Sequence, residues 1–414
     1  MNVSIIVIGD ELLIGQVTDT NSGFLARTMR PAGWTVVDVD VVPDDNSRIR
    51  NAVLEALDRA DVVLTTGGLG PTKDDITKQA LMDVFGGELY RDAEVEANVR
   101  EVVGKRGIRL NSLTADQALV PTSCSVIQNR LGTAPIMVFS KGTKTLVAMP
   151  GVPFETRGMF TTEVFPMLLQ RYAPDVALRS DVIQAIDITE SDLAIRLSSW
   201  EESLPSYMHL AYLPQPGLIR LRLDGSHADR AALDAMMDRC REELITLVGD
   251  NLFADKDMTP AACLIELLAA RGLKVATAES CTGGSVSAAI TSVPGASAVM
   301  QGAVVSYSND VKTGVLGVDP LIIETEGAVS APVVEQMAAG VARLCGADCA
   351  IATSGVAGPG GGTPDKPVGT VWMCVLTPAG SHSWCCRFPG DRARIVDRTV
   401  MTTLIRLCMA VKKL

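Results

Sequence analysis

The sequence predicts an α/β protein with more than one domain. Its 414 residues are 47% hydrophobic but only 4% aromatic, a composition typical of layers built from Val, Ile, Leu and Ala. Short apolar segments such as VSIIVIG and DVVLTTGG alternate with helical patterns. Continuous apolar strands separated by helices indicate a mostly parallel sheet covered on both faces. At typical domain sizes, a chain of this length folds as about two or three domains.

Charge and composition restrict the classes of function. The net charge is -11, whereas a protein that binds nucleic acid normally carries a basic face, so direct nucleic-acid binding is not expected. The first residues, MNVSIIVIGDELL, lack the positive region of a signal peptide, and no apolar run is long enough to span a bilayer. We therefore expect a cytoplasmic protein with reduced cysteines. Ten irregularly spaced cysteines and three histidines do not indicate a zinc site.

The first predicted domain spans residues 1–171. The strands VSIIVIG, TVVDVDVV and DVVLTTGG are separated by helical stretches such as IRNAVLEALDRA. The third strand breaks into a glycine-rich loop, GGLGPTK, and the chain resumes as the helix DDITKQALMDVFG. Ligands of open α/β sheets bind where such strands end. This loop is therefore a candidate binding site.

Acidic residues follow these strands. Asp44 and Asp45 follow the second strand, Asp74 and Asp75 follow the glycine loop, and the acidic turn GDELL follows the first strand. Glycine amides at a helix N-terminus can hold a phosphate, and carboxylates can hold a divalent cation. Each acidic pair taken alone is better explained as a helix cap. Three acidic strand ends at one edge of a sheet weaken that explanation and favour a metal site.

Residues 172–254 predict a small α+β domain. The order is a strand (RSDVIQAIDI), a helix (TESDLAIRLSSWEE), two strands joined by a Pro-Gly turn, and a long helix. The last helix carries an apolar stripe, formed by Leu233, Met236, Met237, Cys240 and Leu244. The segment contains no evident catalytic cluster, and the stretch NLFADKDMT after it is interpreted as a linker.

The third predicted domain, residues 257–414, returns to the α/β pattern. The strand LKVATAES ends at Ser280 and Cys281, just before the helix GGSVSAAITS. Unpaired N–H groups at a helix N-terminus can stabilise an oxyanion, so either side chain could be a nucleophile there. A helix-capping role for Ser280 or Thr282 is the more common explanation of such a turn.

A nucleophile also needs a base. None of the three histidines lies in a recognisable partnered motif, so a Ser-His-Asp triad is not expected. The stretch YSNDVK offers Lys312 instead, with Tyr307 at the preceding strand end and Asn309 or Asp310 as the helix cap. A lysine acts as a base only when burial lowers its pKa. Spacing alone leaves open that Lys312 is an ordinary surface lysine.

A glycine-rich stretch and three arginines complete the pattern. The loop TSGVAGPGGGTPDKPVGTV lies between two strands and supplies free amides suited to a phosphate, although a long turn explains it equally well. It has the spacing of neither a Walker A loop nor a dinucleotide-binding loop. In FPGDRARIVDRT, Arg392, Arg394 and Arg398 surround a helix start, where an arginine could hold a phosphate.

Taken together, AESCTGG, VVSYSNDVK, EGAVS, TSGVAGPGGGTPDKPVGTVW and FPGDRARI resemble the nicotinamide mononucleotide (NMN) deamidase domain of the bacterial CinA (competence/damage-inducible) family. These motifs occur in order across most of residues 257–414. The resemblance implies hydrolysis of NMN to nicotinate mononucleotide and ammonia, without a metal. It also implies that the serine, not the neighbouring cysteine, is the nucleophile.

The resemblance assigns roles to individual residues. Ser280 would attack, Lys312 would be the base, Tyr307 would assist proton transfer, and the N–H groups near Thr282 would hold the oxyanion. The nucleotide would be bound by residues of the glycine-rich turns and the last helix, namely Gly283, Ser354, Gly355, Gly358, Gly360 and Arg394. Ser354 stands where the family usually has threonine, a difference that keeps the hydroxyl. Cys281 would be a packed neighbour.

The first segment resembles the molybdopterin-binding fold at the N-terminus of the same family. The carrying motifs are TTGGLGPTKDDIT, NSLTADQALVP, NRLGTAP and AMPGVPFE. The implied activity is hydrolysis of ADP-ribose to AMP and ribose 5-phosphate with a divalent metal (Mg, Mn or Co). The implied substrate-binding residues are Gly67, Gly68, Gly70 and Thr72, and the implied metal ligands are Asp44, Asp74 and Asp75.

The predicted fold class is therefore α/β, with a three-layer molybdopterin-binding-like domain, a small α+β KH-like connecting domain and an α/β deamidase domain. The expected partners are the nucleotides NMN and ADP-ribose, together with a second copy of the chain, since the resemblance implies a homodimer. The alternative is a protein that binds a nucleotide or pterin, or that acts in competence, with only one active domain. Negative charge argues against direct contact with DNA.

Overall fold

The structure is a computed structural model that describes residues 1–107, 109–172 and 176–414. The predicted boundary at residues 171 and 172 adjoins residues 173–175, which lie outside the described residues. The chain divides into two compact units. The first contains Met1–Arg179 and Ser226–Asp234, and the second contains Ser180–Gly225 and Ala235–Leu414.

The first part of the chain alternates strands and helices as predicted. Its strands are β1 (Asn2–Ile8), β2 (Thr35–Val42), β3 (Val62–Thr66), β4 (Leu89–Arg91), β5 (Leu119–Pro121), β6 (Cys124–Ile127), β7 (Ile136–Lys141) and β8 (Lys144–Met149). Its helices are α1 (Asp10–Leu13), α2 (Asn21–Met29), α3 (Asn46–Arg59), α4 (Thr77–Phe85), α5 (Ala93–Lys105), α6 (Ser112–Ala115), α7 (Pro153–Met159) and α8 (Phe165–Arg171).

These strands form a mixed sheet in the order β2-β1-β3-β8-β7-β6. β2, β1, β3 and β8 run parallel, whereas β7 is antiparallel to both of its neighbours. The sheet is buried on both faces, because alternate residues of β1 enter different cores. Ile5 packs with α2 and α8, and Ile6 packs with α3 and α4. This is the three-layer arrangement that the continuous apolar strands predict.

The middle part has the predicted β-α-β-β-α order and one additional strand. Its elements are β9 (Ala177–Ala185), α9 (Glu190–Glu202), β10 (Met208–Gln215), β11 (Leu218–His227), α10 (Arg230–Val248) and β12 (Leu252–Ala254). The interpretation of NLFADKDMT as a linker is therefore partly wrong, because β12 lies within this stretch and pairs antiparallel with β9. The reason is burial: Phe253 is fully enclosed in the core of the second unit.

The last part forms a second three-layer arrangement. Its helices are α11 (Pro260–Arg271), α12 (Ser285–Thr291), α13 (Asn309–Gly314), α14 (Pro320–Glu326), α15 (Ala331–Cys345) and α16 (Arg392–Lys412). Its strands are β13 (Val275–Glu279), β14 (Met300–Val305), β15 (Cys349–Gly355), β16 (Thr370–Thr377) and β17 (Gly380–Arg387). The sheet order is β14-β13-β15-β16-β17, with α11, α12 and α16 on one face and α15 on the other.

Both large sheets are mixed. The first is mostly parallel, as predicted, because four of its six strands run parallel. β13 is parallel to β14 and β15, whereas β16 and β17 are antiparallel. Among the described residues, no helix is both long enough and apolar enough to cross a membrane.

Candidate functional site

The parallel strands of the second unit bring the sequence-predicted residues to one edge of the sheet. Glu279, the last residue of β13, is in register with Val305 of β14 on one side and Thr353 of β15 on the other. The turns that follow β13 and β14 carry Ser280 and Tyr307, and Ser354 lies near the end of β15. The carboxyl ends of neighbouring parallel strands are where α/β proteins place their sites.

Ser280 and Lys312 form a buried pair at this edge. The Nζ atom of Lys312 lies 3.1 Å from the Oγ atom of Ser280 and donates a hydrogen bond of 2.8 Å to the carbonyl oxygen of Ser306. The lysine side chain is 1% exposed and Ser280 is 9% exposed. Lys312 is therefore not the surface lysine that spacing alone allowed.

The short helix α13 delivers this lysine. Its N-cap is Ser308, whose hydroxyl accepts from the amide of Val311, so neither Asn309 nor Asp310 is the cap. Lys312 lies one turn after this cap, and its side chain reaches Ser280, the residue that follows β13. Burial disfavours the ammonium form and so lowers the pKa of Lys312, with a smaller opposing effect of Cys281. A lysine with a lowered pKa can accept a proton from a neighbouring hydroxyl.

A cavity of about 230 Å³ opens directly above this pair. Its wall combines polar groups with small apolar side chains. The lining residues are Ser280, Cys281, Tyr307, Asn309, Lys312, Ala328, Val329, Ser354, Gly355, Ala357 and Arg392. This combination suits a small ligand with an apolar part and a few polar groups.

Arg392 lines this cavity, whereas the resemblance implied Arg394 as the nucleotide-binding arginine. Its guanidinium donates to the carbonyl oxygen of Gly358 and to the hydroxyl of Tyr307, each at 2.9 Å. Tyr307 is 62% exposed, so this contact fixes an otherwise solvent-facing ring. Arg394 does not line the cavity, and its side chain lies over Gly390.

The remaining predicted nucleotide-binding residues divide into two groups. Ser354 and Gly355 line the cavity, and the Ser354 hydroxyl donates to the carbonyl oxygen of Ala328 at 2.7 Å. Gly283 and Gly360 are exposed and lie outside the lining. Gly358 takes part through its carbonyl contact with Arg392.

Glu279 is the functional candidate that sequence reasoning missed. Its carboxylate is fully buried and accepts from the Thr282 hydroxyl at 2.8 Å and from the amides of Gly284, Val286 and Ser287. The available signal was an acidic residue at a strand end, one short turn before the N-terminus of α12, where a negative charge is favourable. Thr282, predicted beside the oxyanion, has its hydroxyl engaged in this network.

Cys281 differs chemically from its neighbour Ser280. It packs in a small core with Met373 and Ile395, and burial raises the pKa of its thiol to about 12. The thiolate is the nucleophilic form of cysteine. A thiol with so high a pKa is a poor nucleophile near neutral pH.

The first unit has its own cavity, of about 510 Å³, at the carboxyl ends of β1, β2 and β3. The predicted residues Gly67, Gly68 and Gly70 line it, together with several acidic residues. Gly67 has φ +110°, and a Cβ there would lie 2.1 Å from the carbonyl oxygen of Ile8, so only glycine fits. Thr72 lies outside the lining.

The acidic residues of three strand ends meet at this cavity. Asp44, Asp74, Asp75 and Glu11 all line it. Burial raises the pKa of Asp44, and although the Asp10 amide opposes this, the charges of Asp10, Glu11 and Asp74 raise it further. A carboxylate surrounded by like charges favours a bound cation.

Asp75 lines the cavity and also forms hydrogen bonds that stabilise the glycine loop. Its carboxylate accepts from the amides of Gly70 and Thr72 at 2.7 and 2.8 Å and from the Thr72 hydroxyl, which fixes the glycine loop. Within the described ranges, no group of three or more His, Cys, Asp or Glu residues is close enough to hold a metal by itself. Magnesium typically binds through one or two carboxylates together with substrate phosphates. The acidic residues of this cavity can supply the carboxylates.

Comparisons with known families cover almost the whole chain. The CinA C-terminal domain model matches residues 258–411, the "Probable molybdopterin binding domain" model matches 4–170, and the damage-inducible protein CinA KH domain model matches 180–254. A crystal structure of a competence-damaged protein (CinA) superfamily member from Klebsiella pneumoniae is 35% identical. It covers 37% of this chain and 97% of that chain, with a TM-score of 0.37.

Full-length relatives extend the match. A CinA-like protein of Flavobacterium psychrophilum is 37% identical over 98% of this chain and 97% of that protein. A CinA-like protein of Gemmatimonas aurantiaca is 39% identical over 98% of this chain and 96% of that protein. With all three domain models matched in order, the chain belongs to the CinA family of competence- and damage-inducible proteins.

Proposed function

We propose that the second unit is an amidase that converts NMN to nicotinate mononucleotide and ammonia. The observation that carries the proposal is the buried contact of 3.1 Å between Ser280 Oγ and Lys312 Nζ. A serine hydroxyl is activated by a base within hydrogen-bond reach, and the burial that lowers the pKa of Lys312 provides one. The motifs around both residues resemble those of NMN deamidases.

The reaction would proceed in two halves. Ser280 Oγ attacks the carboxamide carbon while its proton passes to Lys312. The carbon–nitrogen bond of the resulting tetrahedral intermediate then breaks, and the nitrogen leaves as ammonia with the proton returned by Lys312. In the second half, Lys312 takes a proton from water, which attacks the ester carbon. The bond between that carbon and Ser280 Oγ then breaks, and Lys312 returns the proton to Oγ as the carboxylic acid leaves.

Two further residues support this substrate. The hydroxyl of Tyr307 lies at the cavity, where it can assist proton transfer, and Arg392 presents a cation that can attract the 5′-phosphate of a mononucleotide. The small side chains of Ala328 and Val329 leave room for a planar pyridine ring. The predicted roles of Gly283, Gly360 and Arg394 remain expectations from the resemblance.

We also propose that the first unit hydrolyses ADP-ribose to AMP and ribose 5-phosphate with a divalent metal. The glycine loop lets a pyrophosphate approach the backbone closely, and Asp44, with Asp74 beside it, would hold the cation. The metal would neutralise charge on the pyrophosphate oxygens. The alternative is that this unit binds a nucleotide or pterin without cleaving it.

Chelation should separate the two activities. With EDTA, ammonia release from NMN is expected to continue, because Ser280 and Lys312 need no metal, whereas AMP release from ADP-ribose should stop. Both products are measured on the full-length chain, and added magnesium or manganese should restore AMP release. If EDTA stopped ammonia release, the serine-lysine mechanism would be wrong. If no metal gave AMP, the first unit would be a binding domain.

Cys281 should be dispensable. Cys281→Ala is expected to retain ammonia release within about tenfold, because a packing change beside the site costs roughly 1–2 kcal/mol. The wild-type protein tests the thiol chemistry separately. Iodoacetamide should leave its ammonia release intact at neutral pH. A loss as large as that of Ser280→Ala would show that the cysteine is the nucleophile.

The pH dependence follows from Lys312. Because burial lowers its pKa, kcat/KM for NMN should rise with pH as Lys312 loses its proton and then level off below the usual range of a lysine. Initial rates of ammonia release across the neutral and alkaline range measure this limb. Lys312→Met should lose the limb together with most of the activity. An activity that falls as pH rises through this range would contradict the assignment of Lys312 as base.

A further inference from the structure

Glu279 is a buried carboxylate placed immediately before the nucleophile. It is fully enclosed, and among the residues that the structure describes its hydrogen-bond partners include no lysine or arginine. Its charge is instead met by neutral donors. Oε1 accepts from the Thr277 hydroxyl at 3.0 Å and the Ser287 amide at 2.8 Å, and Oε2 accepts from the groups of the turn that follows.

The Oε2 contacts hold the turn from residue 280 to residue 284. The Thr282 hydroxyl donates at 2.8 Å, the Gly284 amide at 3.0 Å and the Val286 amide at 2.9 Å. The turn is also tied to the sheet, because the Ser280 amide donates to the carbonyl oxygen of Thr353 at 2.9 Å. Buried polar groups that are fully satisfied make a rigid network.

This network determines which backbone amides near Ser280 already have an acceptor and which do not. The first amides of α12 are taken by Glu279, so the helix N-terminus itself is not available to an oxyanion. In the described part of the chain, the amides of Cys281 and Thr282 donate to no other residue, although both residues are buried. Cys281 also lines the cavity beside Ser280, and backbone amides without an acceptor at such a place are suited to a developing negative charge.

We propose that Glu279 is a positioning residue that fixes the amides of Cys281 and Thr282 as the oxyanion hole for the intermediate formed on Ser280. By binding the helix amides and the Thr282 hydroxyl, the carboxylate sets the path of the turn that carries these two donors. The inference rests on the proposed amidase function. The resemblance already implies that N–H groups near Thr282 hold the oxyanion, and the inference adds the group that orients them.

The test is Glu279→Gln in the full-length chain. Glutamine has nearly the same shape, but its NH2 group faces donors that had an acceptor, so the turn must shift. We expect kcat for ammonia release to fall about 10²–10³-fold, as for loss of an oxyanion donor. KM should change less than threefold, and the limb of the pH profile that reports Lys312 should stay in place. Glu279→Asp should recover part of the loss.

The matched control is Glu266→Gln, which removes a carboxylate from an exposed position on α11 where it pairs with Lys256. It should behave as wild type. If folded Glu279→Gln kept kcat within threefold, the proposal would be overturned. A loss accompanied by a shifted pH limb or a matching rise in KM would also overturn it, since that pattern indicates general damage to the site.

A second measurement does not depend on NMN. A small fluorophosphonate should phosphonylate Ser280: the new oxygen–phosphorus bond forms, fluoride leaves, and the proton passes to Lys312. Labelling should be absent in Ser280→Ala and about 10²-fold slower in Glu279→Gln. If wild type is labelled but releases no ammonia from NMN, the substrate proposal fails while the role of Glu279 is still tested. Equal labelling rates in wild type and Glu279→Gln would reject that role.

Should Glu279→Gln fail to fold, Thr277→Val provides the test, because it removes one of the five donors and leaves the carboxylate in place. It should lower kcat and the labelling rate by at least threefold without changing KM. An unchanged kcat in this variant would overturn the proposal.

Discussion

Replacing Ser280 with alanine is expected to abolish ammonia release from NMN. The substitution removes the proposed acyl acceptor, the hydroxyl that lies 3.1 Å from Lys312 Nζ. The neighbouring thiol is a poor replacement, because burial raises the pKa of Cys281 to about 12. Loss of the nucleophile costs on the order of a million-fold in a comparable serine enzyme. The measurement is ammonia release by the purified full-length variant.

The first unit supplies the internal control for this variant. Ser280→Ala should hydrolyse ADP-ribose as wild type does, because the first cavity is built from residues of a separate core. Circular dichroism should show unchanged folding. A folded Ser280→Ala protein that still deamidates NMN at an appreciable rate would remove Ser280 from the mechanism.

The second large effect is expected for Asp44→Asn in the first unit. Burial and the acidic residues around it raise the pKa of Asp44, so a cation at this cavity would relieve the repulsion that its carboxylate experiences. AMP release from ADP-ribose should fall at least about a hundredfold, since even the outer partners of metal ligands typically contribute about 10- to 100-fold. Ammonia release should be unchanged.

The adjacent aspartate makes a close control. Asp45 is the N-cap of α3, where its side chain accepts from the Arg48 amide at 2.9 Å, and asparagine caps a helix equally well. Asp45→Asn should therefore keep full activity. Equal losses in both variants, or none in either, would reject Asp44 as a metal ligand. Asp75→Asn is less informative, because it also releases the glycine loop.

The parallel strand pattern was the most useful signal in the sequence. It predicted that acidic residues after β1, β2 and β3 would meet at one edge, and the structure brings Glu11, Asp44 and Asp74 to one cavity. The same reasoning applies to Ser280 and Tyr307 in the second unit. Strand ends converge because the backbone hydrogen bonds of a parallel sheet fix the register of neighbouring strands.

Features that depend on side-chain direction were not predictable. Arg392 and Arg394 are two residues apart at the start of α16, so they point about 200° apart around the helix, and only the packing of that helix decides which one faces the cavity. The burial of Lys312 likewise depends on how α13 docks under β13. Nothing in the spacing of the YSNDVK motif distinguishes that position from an exposed one.

Glu279 and β12 illustrate two other limits. The sequence shows a glutamate before the nucleophile. The role of Glu279 depends on where β13 ends, because only there does the side chain face the amides of α12. The three residues of β12 are too few to show a strand pattern. They form a strand because Phe253 is buried in the core and β9 offers a free edge.

The most direct test of the Ser280–Lys312 mechanism is the set of products formed from NMN by the full-length protein in the presence of hydroxylamine. An ester on Ser280 can be attacked by hydroxylamine as well as by water. The mechanism therefore predicts ammonia release together with a mixture of nicotinate mononucleotide and its hydroxamate, and neither product from Ser280→Ala. Ammonia release with no hydroxamate at any hydroxylamine concentration would contradict an acyl-enzyme, and the absence of ammonia from wild type would contradict the amidase itself.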